Sequence, residues 1–354
     1  MPSLDQAKAD QFAQRMIDVS NHGFLAMMAS IGHHTGLFDA MADLPPATSA
    51  EISSATGLNE RYVREWLGAM VTGRIVDYDL AQRTYALPPE HAASLTRRAG
   101  ASNAAAGMLL VGYLGSVEQG IVECFRKGGG VPYSAFLNLH HVLDESSGLD
   151  DTWTIQTVLP AIAGLVSRLE ADIDVLDVGC GSGHDVNVMA RQFPNSRFTG
   201  YDFSDEGIAS ARDEVRRWGL MNACFVIQDA AAFPESKAYD FITAFDSIHD
   251  QAQPAQVLAA IARSLRSDGT FLMVDIDASS NLEDNLAHPL APMLYSISTM
   301  HCMTVSLALD GAGLGTMWGE QLARQMLAQA GFARVEVLRF PDDTFNCYYI
   351  AGKA

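Results

Sequence analysis

The stretch Val175-Leu-Asp-Val-Gly-Cys-Gly-Ser-Gly-His-Asp185 constrains this chain more than any other. An apolar run with the composition of a buried strand ends in glycines at 179, 181 and 183, and a sequence suited to a helix follows. Those glycines permit positive φ and let backbone approach a ligand closely. The helix start behind them offers unpaired N–H groups to an anionic end such as a carboxylate. A dinucleotide fingerprint places its third glycine where this chain has His184, so a nicotinamide site loses the glycine on which helix and strand pack.

From Ile173 onward, short β-branched runs alternate with amphipathic helical stretches, which predicts a parallel sheet with helices on both faces. Phe198-Thr-Gly-Tyr-Asp-Phe203 reads as a second strand ending in an acid, where a carboxylate can take both hydroxyls of a ribose. Cys224-Phe-Val-Ile-Gln-Asp-Ala230 and Tyr239-Asp-Phe-Ile-Thr-Ala-Phe245 read as the third and fourth strands, and Gly269–Ile276 as the fifth.

Asp177-Val-Gly-Cys-Gly-Ser-Gly183, with these later elements in order, resembles the motifs of class I S-adenosylmethionine-dependent methyltransferases. The resemblance covers residues 173 to 354. It implies a Rossmann-like, doubly wound α/β sheet of seven strands in the order 3-2-1-4-5-7-6, closed by an antiparallel pair from 333–338 and 345–350. It also implies S-adenosylmethionine as cofactor. Asp177, Gly179 and Gly181 would frame the loop, Asp202 would hold the ribose, and Phe203 would lie on the adenine face. Asp229, followed by Ala230, would accept from the adenine amino group, and Phe245 would end the strand beside the methyl donor.

Just past that strand, Phe-Asp-Ser-Ile-His249-Asp is similar to the Leu-His-Asp-Trp segment of bacterial and plant small-molecule O-methyltransferases, although Gln251 stands where that family has tryptophan. His249 is therefore read either as the base that removes a hydroxyl proton or as a structural residue bonded to backbone. Asp250 reads as a cap for the next helix. Tyr133, after Gly128-Gly-Gly130, reads as a lid over the cofactor or as core. Gly311–Gly319 reads as a flexible approach to the last helix. No set of carboxylates with an amide stands out as magnesium ligands, and the adjacent pairs His33-His34 and His140-His141 would diverge on a helix. No metal is expected.

The same family carries an N-terminal winged-helix domain for dimerisation, and the sequence has its order. Thr48-Ser-Ala-Glu51 is a capping box. Asn59 caps a helix whose apolar face is Val63, Trp66, Leu67 and Met70. Two short extended runs, 75–78 and 84–87, follow. We expect a helical and winged-helix domain over 1–150 and a catalytic domain over 151–354. Phe12 to Phe38, rich in Met and Phe, suits burial against a partner copy or a neighbouring domain.

Composition limits the partners. The net charge of -19 argues against nucleic acid and against an anionic membrane surface. The uncharged stretches 99–117 and 286–309 are diluted by glycine, proline and histidine, and the second favours an apolar acceptor pocket lined with methionines. Five scattered cysteines and no basic-then-apolar start point to the cytoplasm. The function expected is methyl transfer to a small, largely apolar acceptor at oxygen. The alternative is a transcriptional regulator that senses S-adenosylmethionine and reads DNA through its winged helix.

Overall fold

The computed structural model describes residues 4–136, 142, 153–233 and 238–353, so the pair His140-His141 lies outside the described residues. The chain divides into two compact units, 1–116 with 141–150 and 117–140 with 151–354.

The first unit opens with the helix Gln6–His34, capped by Asp5 and ended at Thr35 and Gly36. The helix Ser49–Thr56 starts on the expected capping box: Thr48 accepts from the Glu51 N–H at 3.3 Å and the Glu51 carboxylate accepts from the Thr48 N–H at 2.7 Å. Gly57, at φ 70°, turns the chain into the helix Glu60–Thr72, where Asn59 accepts from the Arg61 N–H at 3.0 Å. Val63, Trp66, Leu67 and Met70 are the buried stripe of that helix. Trp66 packs edge-on against Phe38 at 5.2 Å, and its indole N–H donates to the Met28 carbonyl. Strands β1 (Asp77–Asp79) and β2 (Thr84–Ala86) complete the wing as an antiparallel hairpin.

The second unit is built on a seven-stranded sheet made of β3 (Asp174–Val178), β4 (Arg197–Asp202), β5 (Ala223–Ile227), β6 (Tyr239–Phe245), β7 (Leu265–Ile276), β8 (Arg334–Leu338) and β9 (Asn346–Gly352). Their order is β5-β4-β3-β6-β7-β9-β8, with β9 antiparallel to both neighbours. Counted from the first strand of this unit, that is the expected 3-2-1-4-5-7-6. Strands β3 and β6 are buried almost throughout, as the inner strands of a sheet covered on both faces must be.

Two apolar layers sandwich the sheet. One gathers Val257, Leu258, Ile261, Ala323 and Leu327 from the helices Pro254–Ser264 and Gly319–Ala330. The other gathers Val186, Met189, Ile208 and Ala211 from the helices His184–Gln192 and Asp205–Trp218. Because β4 lies on one side of β3 and β6 on the other, the connections diverge there and open a crevice at the carboxyl ends of the strands. Over that end lies a helical run, Ala291–Ile297 continued by a π-turned segment Ser298–Cys302 and by Met303–Leu307. Among the described residues, no single helix is long and apolar enough to cross a membrane.

Candidate active site

The glycine loop is shaped by what it must pass. At Gly179, φ is 78° and an added Cβ would stand 2.6 Å from the Ser247 Cβ, so a side chain fits neither the backbone nor the space. The N–H groups of Gly179 and Cys180 both donate to the Tyr201 carbonyl, at 2.8 and 3.0 Å. Gly183, also at positive φ, takes over the packing role that His184 cannot fill. A Cβ there would lie 2.4 Å from the Phe225 ring. His184 turns instead to Glu214, with Nδ1 at 3.1 Å from the carboxylate.

At the tip of β4 the Asp202 carboxylate is held by two backbone donors, the Gly181 N–H at 2.9 Å and the Ser204 N–H at 2.8 Å. A carboxylate fixed on one edge by the loop keeps lone pairs for a ligand on the other. Past β5, Asp229 accepts from the Ala231 N–H at 2.8 Å and forms a tight turn. Both acids open on one cavity of about 340 Å³. Gly179, Phe203, Ala230 and Tyr133 share its wall with them. Tyr133 meets Phe203 edge to face at 5.2 Å.

Four residues read from the sequence lie off that wall. Asp177 is buried beneath it and accepts from the Thr243 hydroxyl at 2.7 Å. Burial pushes its carboxyl up to about 7, against the pull of the Thr243 hydrogen bond. Gly181 acts through Asp202. Phe245 ends β6 and packs into one of the core layers. His249 is 4 % exposed, with Nδ1 at 2.8 Å from Asp275 Oδ1. The same oxygen accepts from the Trp318 indole at 3.0 Å and from the Ile276 N–H at 2.8 Å. Burial alone would keep the His249 ring neutral, but the Asp275 carboxylate and Cys302 outweigh it and raise its pKa well above the ordinary histidine range.

Several contributors were not read from the sequence. Asp250 and Gln251 through Gln253 line the cavity, and the helix Pro254–Ser264 begins on Gln253 without a side-chain cap, so Asp250 is wall rather than cap. Asp275 is the acid that follows the buried apolar run Phe271–Val274 in the second half of β7, which is the one signal that would have found it. The loop Gly311–Gly319 is a clamp and not a flexible approach. The Ala312 N–H donates to the Ala252 carbonyl at 2.9 Å and the Gly315 N–H to that of His249 at 3.0 Å. A Cβ on Gly311 would meet Ala252 at 2.5 Å. Val305 and Leu309, from and just past the helical run Ala291–Leu307, complete the wall.

The strap carrying Tyr133 is seated on that helix. A Cβ on Gly130 would lie 1.9 Å from the Thr304 carbonyl oxygen, and the Val131 N–H donates to the Thr304 hydroxyl at 2.7 Å.

Comparison with known proteins agrees with this architecture. Residues 169–331 match a methyltransferase domain family, and residues 23–97 match the Rv2258c-like winged HTH domain. A fatty-acid O-methyltransferase of Mycolicibacterium smegmatis is 34 % identical over 110 residues, 30 % of this chain and 39 % of that protein. A trans-aconitate 2-methyltransferase of an Acidovorax species is 28 % identical over 162 residues, 46 % of this chain and 52 % of that protein. The chain thus spans about half the length, or less, of the curated relatives it matches. Among solved structures, human N-acetylserotonin methyltransferase in complex with SAM superposes over all of both chains with a TM-score of 0.71 at 17 % identity. Mitomycin 7-O-methyltransferase superposes over 98 % of this chain and 100 % of its own with a TM-score of 0.70 at 18 % identity. These two likenesses are of fold.

Proposed function

We propose that this chain, which matches a methyltransferase domain family over residues 169–331 and a winged helix-turn-helix domain over residues 23–97, transfers a methyl group from S-adenosylmethionine to an oxygen of a small, largely apolar acceptor. The observation that carries the reading is the Asp202 carboxylate, pinned at the tip of β4 by the glycine loop and facing the same cavity as Asp229. In this reading Asp202 takes the ribose hydroxyls and Asp229 the adenine amino group. Ala230 gives the base room, Phe203 and Tyr133 lie against it, and Phe245 supports the strand end. Asp202 and Asp229, facing one crevice, suit a donor with a sulfonium and an ammonium and repel a pyrophosphate. Calorimetry with S-adenosylhomocysteine and with NADH tests this. We expect binding of the first only, weakened at least tenfold in Asp202→Asn; a preference for NADH would reject the assignment.

Methyl transfer from a sulfonium is an in-line displacement, so the protein positions the two reactants and removes the hydroxyl proton. His249 is the base we assign. Asp275 fixes Nδ1 as the donor nitrogen and leaves Nε2 to take the proton. Since the ring holds its proton well above the ordinary histidine range, the rate should climb with pH into the alkaline region. Once an acceptor is known, a His249→Gln variant with unimpaired turnover would remove the base assignment.

The protein works in this reading as a cytoplasmic homodimer, supported by five unpaired thiols and by the apolar surface of Gln6–His34. A DNA-reading role finds no support in the winged domain. On its second helix Arg61 pairs with Glu65 and Arg64 with Glu60.

A further inference from the structure

Two carboxylates crowd the His249 ring. Asp275, near the end of β7, is 1 % exposed, and its Oδ1 already meets three partners: His249 Nδ1 at 2.8 Å, the Trp318 indole at 3.0 Å and the Ile276 N–H at 2.8 Å. Its Oδ2 is equally buried and has no partner. Buried polar atoms are almost always paired, so an orphan of this kind points to a ligand at the site. Asp246, at the exit of β6, is exposed, and one polar atom from each of Asp246, His249 and Asp275 lies within 4.8 Å of the other two. Among the described residues, neither carboxylate has a Lys or Arg within ion-pair distance. Two anions this close, with one imidazole as their basic neighbour, are stabilised by a cation.

We propose that Asp246, His249 and Asp275 form a binding site for one divalent first-row transition ion such as zinc. An imidazole with two carboxylates selects such ions over magnesium and calcium, which take oxygen ligands. Asp275 binds through Oδ2, the oxygen without a donor, while Oδ1 keeps the Trp318 and Ile276 hydrogen bonds. Ligands with bonds of about 2.0–2.2 Å stand roughly 3–4 Å apart around one ion. Closing from 4.8 Å takes a small turn of the exposed Asp246, and solvent fills the positions left open. The site stands without the base assignment, but its effect rests on that reading. An ion on the ring takes the lone pair that would accept the hydroxyl proton, so methyl transfer stops until the ion leaves.

The test needs no acceptor. Calorimetry with Zn²⁺ and with Mg²⁺ is run on wild type, on Asp246→Asn and on Asp284→Asn, an exposed acid that controls for loose attraction to a chain of net charge -19. Asn suits position 246 because φ there is 46°, a left-handed conformation that Asn also tolerates. We expect a single Zn²⁺ per chain in wild type and control, with Mg²⁺ bound far more weakly. Asp246→Asn should lose at least about tenfold in Zn²⁺ affinity and still bind S-adenosylhomocysteine. Zn²⁺ that binds without fixed stoichiometry, or equally well to Asp246→Asn, overturns the proposal. If that variant does not bind S-adenosylhomocysteine, ¹⁵N-histidine NMR of wild type decides. Zn²⁺ should shift the His249 ring nitrogens, a signal assigned by its absence from His249→Gln, and an unmoved signal overturns the site. Failure of the base assignment reads differently: turnover with Zn²⁺ bound at this site would reject the base and leave the site standing.

Discussion

At the scale of single residues, Asp177 shows how a buried acid makes stability depend on pH. Its carboxyl has an ordinary value of 3.8 and is pushed up to about 7, first by burial. The sign follows from proton binding: between those values the folded protein holds a proton that the unfolded chain has released. The neutral acid's contribution is complete below pH 4 and is lost as pH rises through 7. Asp177→Asn, which can still accept from the Thr243 hydroxyl, removes the need to charge a buried group. Urea unfolding should find the variant close to wild type at pH 5 and more stable at pH 8, by at most about 4 kcal/mol for a three-unit shift. Equal stabilities at both values would contradict that sign. Gly179, Gly183 and Asp202 were legible in the sequence because a backbone at positive φ, a Cβ-free approach and an acid at a strand end each limit the residue types allowed. Asp275 was not, because its meaning depends on β7 lying beside β6, a pairing that brings it to a histidine 26 residues earlier.

Among elements, the sheet was written in the sequence more plainly than what covers it. Buried parallel strands are continuous apolar runs and announce themselves. The loop Gly311–Gly319 was read as flexible because it is rich in glycine, yet its glycines, like Gly130 in the strap 128–136, are there for close approach. Gly130 is the sharpest case, since any side chain would collide with the Thr304 carbonyl, a backbone atom of the helix Met303–Leu307 that cannot swing away. Gly130→Ala should therefore unseat the strap and take Tyr133 from the cavity wall while the sheet stays intact. We expect S-adenosylhomocysteine to bind about tenfold more weakly, a loss of about 1.4 kcal/mol. Trypsin gives a second readout at the exposed Arg126 and Lys127, just before the strap. Bound S-adenosylhomocysteine should slow cleavage there in wild type and leave it unchanged in the variant. Equal protection in both proteins would mean that the strap does not close on the cofactor.

For the whole molecule, the question is what covers the first helix. Gln6–His34 has 29 residues and is about 43 Å long, and Phe12, Met16, Ile17, Val19, Phe24, Met27 and Ile31 are exposed along it. Spacings of three and four residues, as in 12, 16, 19 and again in 24, 27, 31, keep such residues near one face. Contiguous apolar surface of this extent is uncommon on a monomer. A second copy of the same helix is the simplest occupant, because an isologous pairing covers both faces at once. Each copy carries a net charge of -19, so like-charge repulsion opposes that pairing at low salt. Light scattering after size exclusion should report a dimer that tightens as salt is raised, and Phe12→Glu with Phe24→Glu should give a monomer at every salt concentration. Every residue lining the cofactor cavity belongs to the second unit. The monomeric variant should therefore bind S-adenosylhomocysteine with wild-type affinity, which separates loss of assembly from loss of fold. A wild-type protein that stays monomeric in high salt would show that this helix serves another partner.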